Sequence, residues 1–110
     1  MVLTVEDIAP DLNAEGFLSD AGLWNEQVAE CLARQNGIML SPAHWEIVLF
    51  IRAYYFQYRH LPNARMFAAA LRKQLGEDKS NSRYLLSLFP GGPLKYACKL
   101  AGLPKPPTCL

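Results

Sequence analysis

Three cysteines, Cys31, Cys98 and Cys109, are the residues of this chain best suited to chemistry. Cys31 falls on the apolar side of an amphipathic stretch and reads as a small buried hydrophobe. Cys109 sits next to the last residue given, after a run of eight residues, 103–110, that contains three prolines. Such a run cannot form a helix and cannot lie inside a sheet, so it reads as an extended, mobile arm. Taken alone, Cys109 is either incidental on a frayed tail or an exposed thiol kept because it is used. Cys98, separated from it by ten residues, is either a buried helix residue or a resolving partner. At about 3.3 Å per residue the arm spans roughly 26 Å when extended. With Gly102 as a flexible hinge it can also curl back towards Cys98, within the ~7 Å between Cα atoms that a disulfide needs.

The neighbouring charges bear on the thiol. The carboxylate of Leu110 opposes thiolate formation at Cys109, while Lys99, Lys105 and Arg83 could offset it when the arm folds back. Basic residues gather late in the chain, and Arg65, Lys79, Arg83, Lys99 and Lys105 are candidates for a surface that docks acidic partner proteins, or tRNA held by one. The same residues admit a rival reading as a DNA-binding module on two short helices. A formal net charge of +1 and the lack of a basic cluster on the last short helix speak against that. His44 and Trp45 invite a catalytic role, but a surface histidine in the first turn of a helix is the simpler reading. No cysteine or histidine pair has metal-ligand spacing, and no glycine loop or nucleophile elbow suggests a cofactor or a hydrolase.

These residues need a scaffold. A chain of 110 residues, 51% hydrophobic and 19% charged, is one globular domain. No apolar run is long enough to span a membrane, no signal peptide stands at the start, and an odd cysteine count is no disulfide framework; together these predict a cytoplasmic protein. Val2 to Val5 alternates weakly and Asn13-Ala14-Glu15-Gly16 reads as a hairpin turn, so residues 1–20 are expected to form short strands. From Trp24 the period becomes helical, with Gly37 as the stop. Ser41 caps and Pro42 starts a core helix over residues 42–60 that is apolar nearly all round. Further helices are predicted over 63–75, 82–88 and 93–101, with Gly76 and Gly102 as stops. Strands first and helices afterwards predict an α+β fold, with a β-meander at 1–20, a helical array at 24–102 and the arm at 103–110.

The chain resembles the DsrC/TusE family of sulfur-relay proteins from end to end. The resemblance is carried by Leu40-Ser-Pro-Ala-His-Trp-Glu46, Asn81-Ser-Arg-Tyr-Leu85, Leu88-Phe-Pro-Gly-Gly-Pro93 and Ala97-Cys-Lys-Leu-Ala-Gly-Leu-Pro-Lys-Pro106, with Cys109 beyond. It implies a three-strand meander on about five helices, part of them like a helix-turn-helix, and a persulfide on Cys109. In the branch tied to tRNA 2-thiouridine synthesis, that cysteine takes sulfur from a relay complex and passes it to the tRNA-thiolating enzyme. In the dissimilatory branch, a second cysteine at the position of Cys98 joins it, sulfite reductase is the partner, and a membrane-linked protein reduces the resulting disulfide. Cys98 therefore leans the expectation towards the dissimilatory role. Thr108 and Ser80 depart from that branch, which usually has glycine at both positions.

Overall fold

The computed structural model describes residues 4–107. Among the described residues six α-helices follow one another: α1 (Val5–Ile8), α2 (Glu26–Gln35), α3 (Pro42–Tyr58), α4 (Ala64–Leu75), α5 (Ser82–Leu88) and α6 (Pro93–Leu100). Single 3-10 turns lie at Ala9–Asp11, Ala21–Leu23 and Glu77–Lys79.

The expected β-meander, and with it the α+β class, is corrected: the protein is helical. Among the described residues the only strand-like pairing is one antiparallel bridge between Leu12 and Leu18. The turn between them does form, with Gly16 at φ +86° and Asn13 bonded through its backbone N–H to the Phe17 carbonyl at 2.8 Å. No ladder grows from it. Upstream, Thr4 and Asp7 cap each other: the Thr4 N–H donates to the Asp7 carboxylate at 2.8 Å and the Asp7 N–H to Thr4 Oγ1 at 3.4 Å. That reciprocal cap starts a helical turn where weak alternation had suggested a strand, and Pro10 then removes a donor a strand would need. Val2 and Leu3 of the expected strand lie outside the described residues.

The helices begin where short polar side chains can satisfy free N–H groups. Asn25, Ser41, Asn63 and Asn81 accept from the third residue on in α2, α3, α4 and α5. Trp24 is therefore outside α2, two residues before it. Helix α3 is central but not apolar all round in its packing. Ile47, Val48 and Ile51 are sealed in the core, while Leu49, Phe56 and Tyr58 remain about half exposed. Helix α6 packs on α2, α3 and α5, burying Leu94, Ala97, Cys98, Leu100 and Ala101 among Phe17, Leu32, Phe89 and Leu103. Each fully buried Leu or Phe of this set contributes about 1.5–3 kcal/mol. No helix among the described residues is long and apolar enough to cross a membrane.

Candidate functional site

The arm that should carry Cys109 begins at the end of α6, so the geometry there decides how it leaves the fold. Gly102 takes φ +71°. Its N–H donates to the Lys99 carbonyl at 3.2 Å, and the Leu103 N–H reaches back to the Cys98 carbonyl at 3.0 Å. This is the Schellman arrangement, which satisfies carbonyls the last turn leaves free and packs the residue after the glycine against the residue three positions before the cap. Here those two residues are Leu103 and Cys98, both fully buried. The next carbonyls are met from outside the helix: Trp24 Nε1–H donates to Leu100 at 2.8 Å and Arg52 to Ala101 at 2.9 Å.

Gly102 was expected to be a flexible hinge. It is instead closely held, since a Cβ there would lie 2.5 Å from Trp24 Cδ1 and 2.8 Å from its Cβ and Cγ. Beyond it Leu103 and Pro106 are buried, while Pro104, Lys105 and Pro107 are exposed. The first part of the arm is thus seated on the body. Lys105 Nζ lies 2.7 Å from Glu15 Oε2 on the hairpin turn, so the chain runs back past Phe17 and the side of α6.

The cysteines divide sharply. Cys31 and Cys98 are free thiols sealed in the core. Burial pushes the Cys98 thiol up to about 12, because no cation or donor offsets the desolvation of a thiolate there. Cys109, with Thr108 and Leu110, lies outside the described residues.

The predicted basic residues differ in their exposure and partners. Lys99 is nearly buried, its ammonium 5.0 Å from the centre of the Phe17 ring and 5.4 Å from that of Tyr96. Burial, then the neighbouring Lys95, lower its affinity for a proton, and Glu15 partly offsets them. Lys105 belongs to the same neighbourhood through Glu15, whose carboxyl is held below its usual range by the Lys105 hydrogen bond and charge. Lys79 is elsewhere, 3.0 Å from Glu46 of α3, and this partner raises its proton affinity. Arg65 on α4 and Arg83 on α5 are exposed. So Lys99 and Lys105 accompany the arm, while Lys79 already has an acid and offers less charge to an outside phosphate.

His44 is not a surface residue. Ser41 N–H donates to its Nδ1 at 3.1 Å, which leaves Nε2–H to donate to the Leu88 carbonyl at 2.7 Å. The ring also meets Phe89 edge-on at 5.2 Å. It closes a capping box and ties the start of α3 to the end of α5; the Ser-x-x-His spacing was the available signal. Ser80 has φ −120°, a value open to any residue, so its replacement of a usual glycine needs no strain.

Arg52 and Trp24 were missed as site residues. Arg52 sends one nitrogen to Ala101 O and the other to Ala21 O at 3.0 Å. Its guanidinium stacks 4.3 Å from the centre of the Trp24 ring and 4.8 Å from that of Phe56. Contacts spanning 49 and 76 residues leave no local pattern in a sequence.

Comparison with known proteins matches this geometry to a family. The family described as DsrC like protein matches residues 4–110. The chain is 50% identical to sulfurtransferase TusE of Sodalis glossinidius, over 89% of this chain and 91% of that protein. Against sulfurtransferase TusE of Escherichia coli the identity is 46%, over 91% and 92%. Among solved structures, the DsrC of Allochromatium vinosum superposes with a TM-score of 0.82 at 45% identity, covering 90% of this chain and 88% of the other. The oxidized gamma-subunit of the dissimilatory sulfite reductase of Archaeoglobus fulgidus gives 0.74 at 40%, covering 90% of both. The chain belongs to the DsrC-like family.

Proposed function

We propose that this member of the DsrC-like family carries sulfane sulfur as a persulfide on Cys109 and hands it to a partner protein in the cytoplasm, in a relay that ends in tRNA 2-thiouridine. One observation carries the reading: Cys98 is fully buried in the core, where burial pushes its thiol up to about 12. Transfer chemistry therefore falls to a single cysteine. The dissimilatory expectation rested on Cys98 acting as a second redox partner, and a thiol in that state does not attack or resolve a disulfide. The likeness to proteins named sulfurtransferase TusE supports the same choice.

The step is an exchange at sulfur. The Cys109 thiolate attacks the terminal sulfur of a donor persulfide; the donor's S–S bond breaks, its thiolate leaves, and Cys109 holds the extra sulfur. Delivery repeats this towards an acceptor thiol, with no net oxidation. The chain's own residues act here rather than a cofactor: the Cys109 thiol is the nucleophile, with Lys99 and the Glu15-paired Lys105 at the base of the arm.

A second reading keeps the dissimilatory role, favoured by a cysteine at position 98 and by the likeness to two DsrC structures. Intact mass separates them for the unaltered protein, Cys109→Ser and Cys98→Ser. After a persulfide donor, a gain of one sulfur that only Cys109→Ser loses supports the single-cysteine carrier. An internal disulfide formed under mild oxidation, and lost in both variants, supports the dissimilatory reading. No gain of sulfur in any of the three overturns the carrier reading itself.

A further inference from the structure

The geometry points to Arg52, seated on Trp24, as the positioning residue that fixes where the cysteine arm leaves the fold. The inference rests on the carrier reading above and adds the device that aims the carrier. Four observations converge on one point. The Arg52 fork binds the carbonyl of Ala101, the cap of α6, and that of Ala21, before α2. Its flat face rests on the Trp24 indole. That indole donates to Leu100 and presses on Gly102, leaving no space for even one added carbon. Leu103 follows immediately and is locked to Cys98.

The arrangement suits direction rather than charge neutralisation. Among the described residues both ion pairs belong to lysines, whereas Arg52 meets carbonyl oxygens and aromatic faces. A cation on the last carbonyls also complements the negative end of α6. A planar fork sets two carbonyls at a fixed angle, which a lysine ammonium cannot do. The contact lies on the residue before Gly102, at the root from which Leu103 and Pro106 are laid onto the body, so it sets the course of the seated part of the arm. Arg52 touches none of the reacting atoms; it acts through the backbone of residues 101–103.

Hydrogen exchange on the full chain tests this, with a nitroxide on Cys109 reporting by paramagnetic broadening where the arm dwells. In Arg52→Ala, the Gly102 and Leu103 amides are expected to exchange about tenfold faster, the effect of losing charge-assisted hydrogen bonds. Amides of Ile47, Val48 and Ile51 in α3 should keep their rates, and the broadening should spread over more of the surface. Arg52→Lys should show the same local rise because the fork is gone. Trp24→Phe, which keeps a ring but loses the bond to Leu100, should show it too and serves if Arg52→Ala folds poorly. Unchanged rates at Gly102 and Leu103, full rescue by lysine, or an equal rise throughout α3 and α6 would each overturn the proposal. Sulfur loading is measured on unlabelled aliquots of the same proteins, with Cys109 free. If the unaltered protein fails to load, the carrier reading fails while the exchange result still decides whether Arg52 sets the arm.

Discussion

Replacing Gly102 by alanine tests the root of the arm most directly. Two penalties add. At φ +71° an L side chain is strained by about 1–2 kcal/mol. The new Cβ would also stand 2.5–2.8 Å from three Trp24 atoms, and these belong to the indole's own base rather than to a flexible tip. Trp24 must therefore move, which breaks its 2.8 Å bond to the Leu100 carbonyl and leaves partly buried polar groups unmet, a loss of about 1–2 kcal/mol. The sum, roughly 2–4 kcal/mol, should lower the melting midpoint by ~10–20 °C in a domain of this size. Urea unfolding of Gly102→Ala in the natural background and in Trp24→Ala resolves the parts. Trp24→Ala removes the indole, its bond to Leu100 and two of the three close contacts, leaving the backbone strain and the contact with the retained Cβ, so the two substitutions should couple by about 1–2 kcal/mol. A cost below about 1 kcal/mol, or the same cost in both backgrounds, would refute the packing argument.

Three further expectations follow from the same geometry. The Cys98 thiol, raised from 9.0 to about 12, keeps its proton in the folded chain where the unfolded chain loses it. Its stabilising contribution is therefore complete below about pH 9 and fades as pH rises towards 12, by up to roughly 4 kcal/mol. Urea unfolding at pH 7 and pH 10 should show a steeper loss for the unaltered protein than for Cys98→Ala, and equal slopes would contradict the burial. Glu15 should titrate below the ordinary carboxylate range and return towards it in Lys105→Met, read by carbon-detected NMR; its small share of stability fades as pH falls through that lowered value. His44→Ala removes the capping box and the bond to Leu88 together and should cost roughly 2–3 kcal/mol in urea unfolding, with no change in sulfur loading of Cys109.

Local chemistry was legible and distant contact was not. Ser41-Pro42, Asn63, Gly76 and Gly102 announce helix ends because capping depends on a few adjacent atoms, and the structure ends its helices there. The N-terminal segment misled because the weakly alternating residues Val2 to Val5 overlap the Thr4–Asp7 cap, and the cap acts at shorter range than any strand partner. In α3 the run of apolar residues masked which side would stay open, a matter decided by α6 packing against it rather than by α3 itself. Cys98 invited a redox role through its spacing from Cys109, and spacing carries no information on its burial in the core. Arg52 and Trp24 join parts of the chain that no window of sequence holds together.

On the carrier reading proposed above, the burial of Pro106 sets a limit on the acceptor's shape. From that seat only residues 107–109 remain to bridge to another molecule, about 10 Å fully stretched. A catalytic sulfur at the bottom of a long, narrow shaft would be beyond delivery. An acceptor must have a wide, shallow mouth, or else must peel Leu103 from the core at a cost of about 2 kcal/mol and so admit only those proteins that grip the tail tightly enough to do it.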